Sequence, residues 1–174
     1  MAKRRKKSVE RSIHLSAGPL PERLALRFPD RALVFTDASR LRHGGLAAVV
    51  YRAADAQPEI FTRSVPLDGS NELELQAAIF GLKQAALLMP GLPFALFSDN
   101  QDAIVRLGRV KQLGAARDEQ LGRRFPDANL EALLQHADPS WVQGHGRCRG
   151  NALADWHARL AAGGEAPPEN PLSP

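Results

Sequence analysis

The chain has 174 residues, 44% of them hydrophobic, with a formal net charge of +4. That is enough for one ordinary core, so a single domain is expected, most simply as a monomer. The lone Cys148 excludes an intramolecular disulfide framework and a multi-cysteine zinc site. The most membrane-like stretch, ALLMPGLPFALF, is too short to span a bilayer and holds two prolines, so no membrane partner is expected.

Residues 1–28 read as a basic N-terminal arm, expected to be flexible. Residues 1–11 carry Lys3, Arg4, Arg5, Lys6, Lys7 and Arg11 against Glu10, a net +5, which leaves about −1 for the rest. The arm is thus suited to contact a phosphate backbone. No apolar run follows it, so no secretory signal is expected, and the setting is expected to be cytoplasmic. Residues 32–37 then read as a strand, 44–52 as a second and 59–65 as a third, joined by short connections that favour an antiparallel meander. From 72 to 89 the period changes: Leu75, Ile79, Leu82 and Ala86 recur at helical spacing, with Asn71 or Ser70 as the cap and Met89-Pro90-Gly91 as the stop. A fourth strand, PFALFSD at 93–99, precedes a helix from about Asn100 to Leu113. A further helical stretch lies near 127–136, and SWVQG at 140–144 reads as a short strand. The last helix spans 151–162, capped by Asn151, with Leu153, Trp156 and Leu160 as its apolar stripe. Residues 29–163 form the expected domain, and the Gly/Pro-rich 164–174 a disordered tail. The order β-β-β-α-β-α-(α)-β-α is an α/β pattern whose later strands should run parallel to the first.

In open α/β sheets, sites form beyond the carboxyl ends of the strands. Two strands here run into acids, Asp37 and Asp99. On neighbouring strands, about 4.8 Å apart, these carboxylates would converge and repel. A hard divalent cation resolves such repulsion, and two metals about 3.5–4 Å apart can hold the attacking and leaving oxygens of a phosphodiester. Glu72 and Glu74 at the start of the long helix, and Asp155 near the start of the last, could complete an acidic site. Taken singly, each acid reads equally as a helix-terminus or surface charge.

Taken together, the four motifs resemble the ribonuclease H type 1 family, including retroviral and retrotransposon ribonuclease H domains, over roughly residues 31–162. FTDAS is similar to that family's first-strand acid motif, and NELELQAAIFGL to its Glu-Leu-x-Ala helix, where Glu74 rather than Glu72 takes the family position. LFSDNQDAI is similar to its fourth-strand motif, and WVQGHGRCRGNALADWHARLA to its closing Gly-His loop and helix. The resemblance implies a five-stranded mixed sheet flanked by helices. It implies cleavage of the RNA strand of RNA–DNA hybrids with two Mg²⁺ ions, Mn²⁺ substituting. Asp37, Glu74, Asp99 and Asp155 would be metal ligands and, with His145, the catalytic set. Ser39, Arg40, Arg42, Asn100 and Asn151 would be substrate contacts. A nuclease of the same fold acting on DNA, such as a resolvase, and a non-cleaving hybrid-binding module are the alternatives.

The stretch 106–124 carries six basic residues but no Trp, so it could bind a DNA backbone or be a solvated face. Trp141 and Trp156 read as core. Cys148, between Arg147 and Arg149, reads as an incidental loop residue, although two flanking cations could favour its thiolate.

Overall fold

In the computed structural model, residues 14–165 are described. Five strands form one mixed sheet: β1 Ala32–Arg40, β2 Gly44–Tyr51, β3 Glu59–Val65, β4 Phe94–Ser98 and β5 Ala137–Trp141, in the order β3-β2-β1-β4-β5. β1 with β2 and β2 with β3 pair antiparallel; β4 pairs parallel with both β1 and β5. This is the expected meander followed by parallel strands. The helices are α1 Glu22–Ala25, α2 Ser70–Leu88, α3 Gln101–Leu113, α4 Glu119–Arg124, α5 Leu130–Leu134 and α6 Arg149–Ala161. No helix among the described residues is long and apolar enough to cross a membrane.

Period-two alternation divides the central strands between two cores. Val34 and Leu96 face Leu75, Ile79 and Leu82 of α2 and Leu107 of α3. Leu33, Phe35, Ala95 and Phe97 face Leu153 and Ala154 of α6 together with Leu20 and Phe28. Phe35 stacks on Phe97 at a centroid distance of 5.0 Å, and Phe28 meets Phe97 edge-on at 5.1 Å. Burial of each such ring contributes about 1.5–3 kcal/mol. α6 lies directly on the sheet because two positions lack a Cβ: one on Gly45 would run into the α6 backbone, and one on Gly150 into the Phe35 ring.

Several local expectations change. β1 does not stop at Asp37; pairing with β4 ends at Phe35, but pairing with β2 continues to Arg40 opposite Gly44. β5 starts three residues earlier than SWVQG and contains Pro139, which an edge strand tolerates because its outer side donates to no neighbour. Gly69, not Ser70 or Asn71, is the N-cap of α2. Cys148, not Asn151, is the N-cap of α6, so Asn151 lies inside that helix and is buried. The buried face of α6 is Gly150, Asn151, Leu153, Ala154 and Ala158; Trp156 and Leu160 are only half-buried. The helix expected near 127–136 is the five-residue α5, preceded by α4 and a 3-10 turn at Ala115–Arg117 in the basic stretch. Residues 14–28, assigned to the arm from sequence, pack on the domain: Leu20 and Phe28 are buried, and the Ser16 N–H donates to the Arg147 carbonyl at 2.7 Å. The basic cluster at residues 3–11 and most of the tail, residues 166–174, lie outside the described residues.

Candidate active site

The parallel register brings the first two acids level. Phe35 pairs with Phe97, so Asp37 and Asp99 each lie two residues further along, on the same face as those two rings. α2 adds Glu74: one carboxylate oxygen from each of Asp37, Glu74 and Asp99 lies within 4.8 Å of the others. α6 adds Asp155 and Asn151, and the loop before it adds His145. These six residues line one cleft of about 220 Å³.

The cluster is electrostatically strained. Asp37 is 5% exposed, and only the Ala38 N–H, donating to Oδ1 at 2.7 Å, favours its charge among the causes acting on it. Burial, then Glu74, Asp99 and Asp155, raise its carboxyl well above the usual range. Burial and then Asp99 push Glu74 up to about 8. Asp155 is raised chiefly by burial, with Arg159 and His145 acting the other way. Among the described residues, Glu74 Oε2 is buried without a hydrogen-bond partner, and so is Asn151 Oδ1. An orphaned carboxylate oxygen among converging acids fits a hard divalent cation, which takes oxygen ligands and relieves the repulsion. Glu72, in contrast, points away and pairs with Arg124 Nε at 2.9 Å.

The other sequence-nominated residues stand elsewhere. Ser39 and Arg40 end β1 and Arg42 lies in the turn to β2, and none of the three lines the cleft; the Arg40 guanidinium donates to the Asp68 carbonyl at 3.0 Å. Asn100 caps α3 by accepting from Ala103 N–H at 2.9 Å, and its amide donates to Asn71 at 3.1 Å, tying the starts of α2 and α3 together. His145 is exposed at the cleft mouth with a φ of 49°, a left-handed conformation uncommon outside glycine. Cys148 is buried, its thiol facing the Pro19 carbonyl at 3.3 Å, and burial pushes it up to about 11, against thiolate formation.

Two supports were not visible in the sequence. Trp141 is half exposed rather than core, and its indole N–H donates to the Asp99 carbonyl at 2.9 Å. Gly144 leaves room for the Asp99 carboxylate, which a Cβ there would strike. The glycine beside His145 is a visible signal for a close approach, but nothing in the sequence says what approaches.

The family model described as RNase H matches residues 29–163. The chain belongs to the RNase H family. Its fold is similar to that of RNase H1 from the halophilic archaeon Halobacterium salinarum, with 18% identity, TM-score 0.56, and coverage of 75% of this chain and 96% of that one. It is also similar to a foamy viral protease-reverse transcriptase solved with dsDNA, at 15% identity and TM-score 0.61, covering 77% and 95%. LC11-RNase H1, solved with an RNA/DNA hybrid, matches at 11% identity and TM-score 0.54, covering 75% and 99%. No curated protein matches the chain significantly. Membership makes the protein a ribonuclease H-type hydrolase, a nuclease acting on RNA–DNA hybrids in a metal-dependent family.

Proposed function

We propose that this RNase H cleaves the RNA strand of RNA–DNA hybrids at the acidic cleft, with two Mg²⁺ ions, or Mn²⁺, held by Asp37, Glu74, Asp99 and Asp155. The observation that carries the reading is the convergence of one carboxylate oxygen from each of Asp37, Glu74 and Asp99 within 4.8 Å of one another. When bound, two ions supply an activated water and charge relief for the departing 3′ oxygen.

The chain's own groups do the rest. Glu74 and Asp99, which converge with the buried Asp37, would hold one ion and orient its water, and Asp155, on the same cleft, would hold the other. Trp141 and Gly144 fix Asp99 from its carbonyl and its carboxylate ends. His145, whose imidazole stands at the mouth of the cleft, moves a proton at the leaving oxygen or helps product depart. The buried amide of Asn151 turns its free Oδ1 to a ribose hydroxyl, the group that separates RNA from DNA. Ser39, Arg40, Arg42 and Asn100 serve the flanking backbone from outside the cleft. The basic segment 1–11 adds phosphate contacts, and the protein acts as a monomer in the cytoplasm, where the free Cys148 stays reduced.

The test is incubation with labelled RNA–DNA hybrid, duplex DNA, duplex RNA and single strands in Mg²⁺ or Mn²⁺. Cleavage confined to the RNA of the hybrid is expected. Preferred cleavage of duplex DNA would move the protein to the DNA-nuclease alternative.

A further inference from the structure

Beside the acidic cleft, and sharing His145 and Gly146 with it, runs a second and larger groove of about 840 Å³. It is built where α1 packs against the β5–α6 connection. Arg23 and Arg27 line it from the α1 side, Arg147 from the loop, and Trp141 and Gln143 lie along it. Among the described residues, no acidic residue lines it and none of the three arginines is ion-paired. Trp141 is 50% exposed although its indole N–H is spent on Asp99, so what it offers the groove is ring surface rather than a polar group.

We propose that this groove binds an unpaired single-stranded extension of the strand whose phosphate sits in the acidic cleft. The inference rests on the nuclease reading above. Three guanidiniums with no ion-pair partner among the described residues, Arg27 also lying over the Phe28 ring at 5.8 Å, stand beside an exposed indole and match a polyanion with free bases: arginines track phosphates, and an aromatic face stacks on any base that is not already stacked in a duplex. Continuity with the cleft at His145 sets the direction of travel, so one strand runs from the carboxylates past the loop onto α1. The chain's own basic segment, +5 over residues 1–11, is of the wrong sign to fill the groove. The enzyme therefore favours hybrids next to a single-stranded junction over uniform hybrids.

The experiment compares a blunt hybrid with hybrids carrying a 5′ or 3′ overhang of about six nucleotides, within the span that single-strand grooves cover. Binding of the full chain is read by fluorescence anisotropy in EDTA across a salt series. One overhang polarity is expected to bind more tightly than the blunt hybrid and to quench tryptophan fluorescence more. In the Arg23→Gln/Arg27→Gln variant that advantage disappears, and the log–log salt slope on the overhang substrate falls by about 1.4, roughly 0.7 per single-strand contact. Arg23→Lys/Arg27→Lys restores both. Equal wild-type affinity for blunt and overhang hybrids would overturn the inference, as would equal loss on both substrates in the glutamine variant. Displacement of the overhang by a polyglutamate peptide of equal charge would instead assign the groove to an acidic protein. A wild-type enzyme that binds in this way but does not cleave would refute the nuclease reading and leave the groove in place.

Discussion

Glu72 and Glu74 stand two positions apart on α2, about 200° around the helix, and meet different chemistry. Glu72 is ion-paired with Arg124 outside the cleft, whereas Glu74 converges with Asp37 and Asp99 inside it. Glu74→Gln is therefore expected to lower turnover more than about a hundredfold, since even groups that only support a metal ligand cost 10–100-fold. Glu72→Gln should stay within a few-fold, and steady-state kinetics on a hybrid distinguishes the two. The reverse order would move the site. His145 is exposed at the cleft mouth, so its loss should slow the reaction without stopping it. His145→Ala is expected to reduce turnover by about a hundredfold, the low end for an acid–base group, with metal affinity by calorimetry unchanged. Loss of metal binding in that variant would make the histidine a ligand.

At the scale of the elements, the site depends on close approaches that side chains would prevent. Gly144→Ala puts a methyl group against the Asp99 carboxylate. It should displace Asp99 and abolish turnover while leaving the thermal midpoint nearly unchanged, because the loop is at the surface. Gly45→Ala has the opposite signature. The added Cβ meets the α6 backbone, which cannot rotate away, so stability should fall by about 1–3 kcal/mol or more in denaturant titration. The meander, the parallel strands and both acids just past the β1–β4 pairing were legible because alternation, helical period and Pro/Gly punctuation all agreed there. β5 begins earlier than expected because Asp138 and Pro139 are residue types depleted in strands, and only its place at the sheet edge makes that proline acceptable. α4 was missed because a six-residue helix gives no full apolar stripe; it is held by Leu121 in the core and by the Asp118 side chain capping it at the Leu121 N–H. The packing of residues 14–28 was hidden by the charge run before them. Leu20 and Phe28 are too widely spaced to announce a core segment.

For the whole molecule, the acidic site sets the pH dependence of stability. Asp37, Glu74 and Asp155 all have carboxyl groups raised in the folded state. A raised carboxyl means the native state binds more protons than the unfolded chain. Its stabilising contribution is complete below the unfolded value, 4.5 for Glu74, and is lost as pH climbs through about 8. Without metal, the thermal midpoint should therefore fall between about pH 5 and 8, each group adding a slope of at most about 1.4 kcal/mol per pH unit. Saturating Mg²⁺ should recover the loss at pH 8, and Glu74→Gln should flatten the profile. A flat wild-type profile in EDTA would mean the carboxylates do not crowd one another.

The central claim is that carboxylate-held metal ions, and not a protein base acting on the ribose hydroxyl, drive RNA-strand hydrolysis. It is tested most directly by mapping the ends of RNA fragments released from a hybrid, with Mg²⁺ and with EDTA, for the wild type and Asp99→Asn. The account predicts 5′-phosphate and 3′-hydroxyl ends in Mg²⁺, and no fragments in EDTA or from the variant. Fragments that persist in EDTA, or that end in 2′,3′-cyclic phosphate, would contradict it.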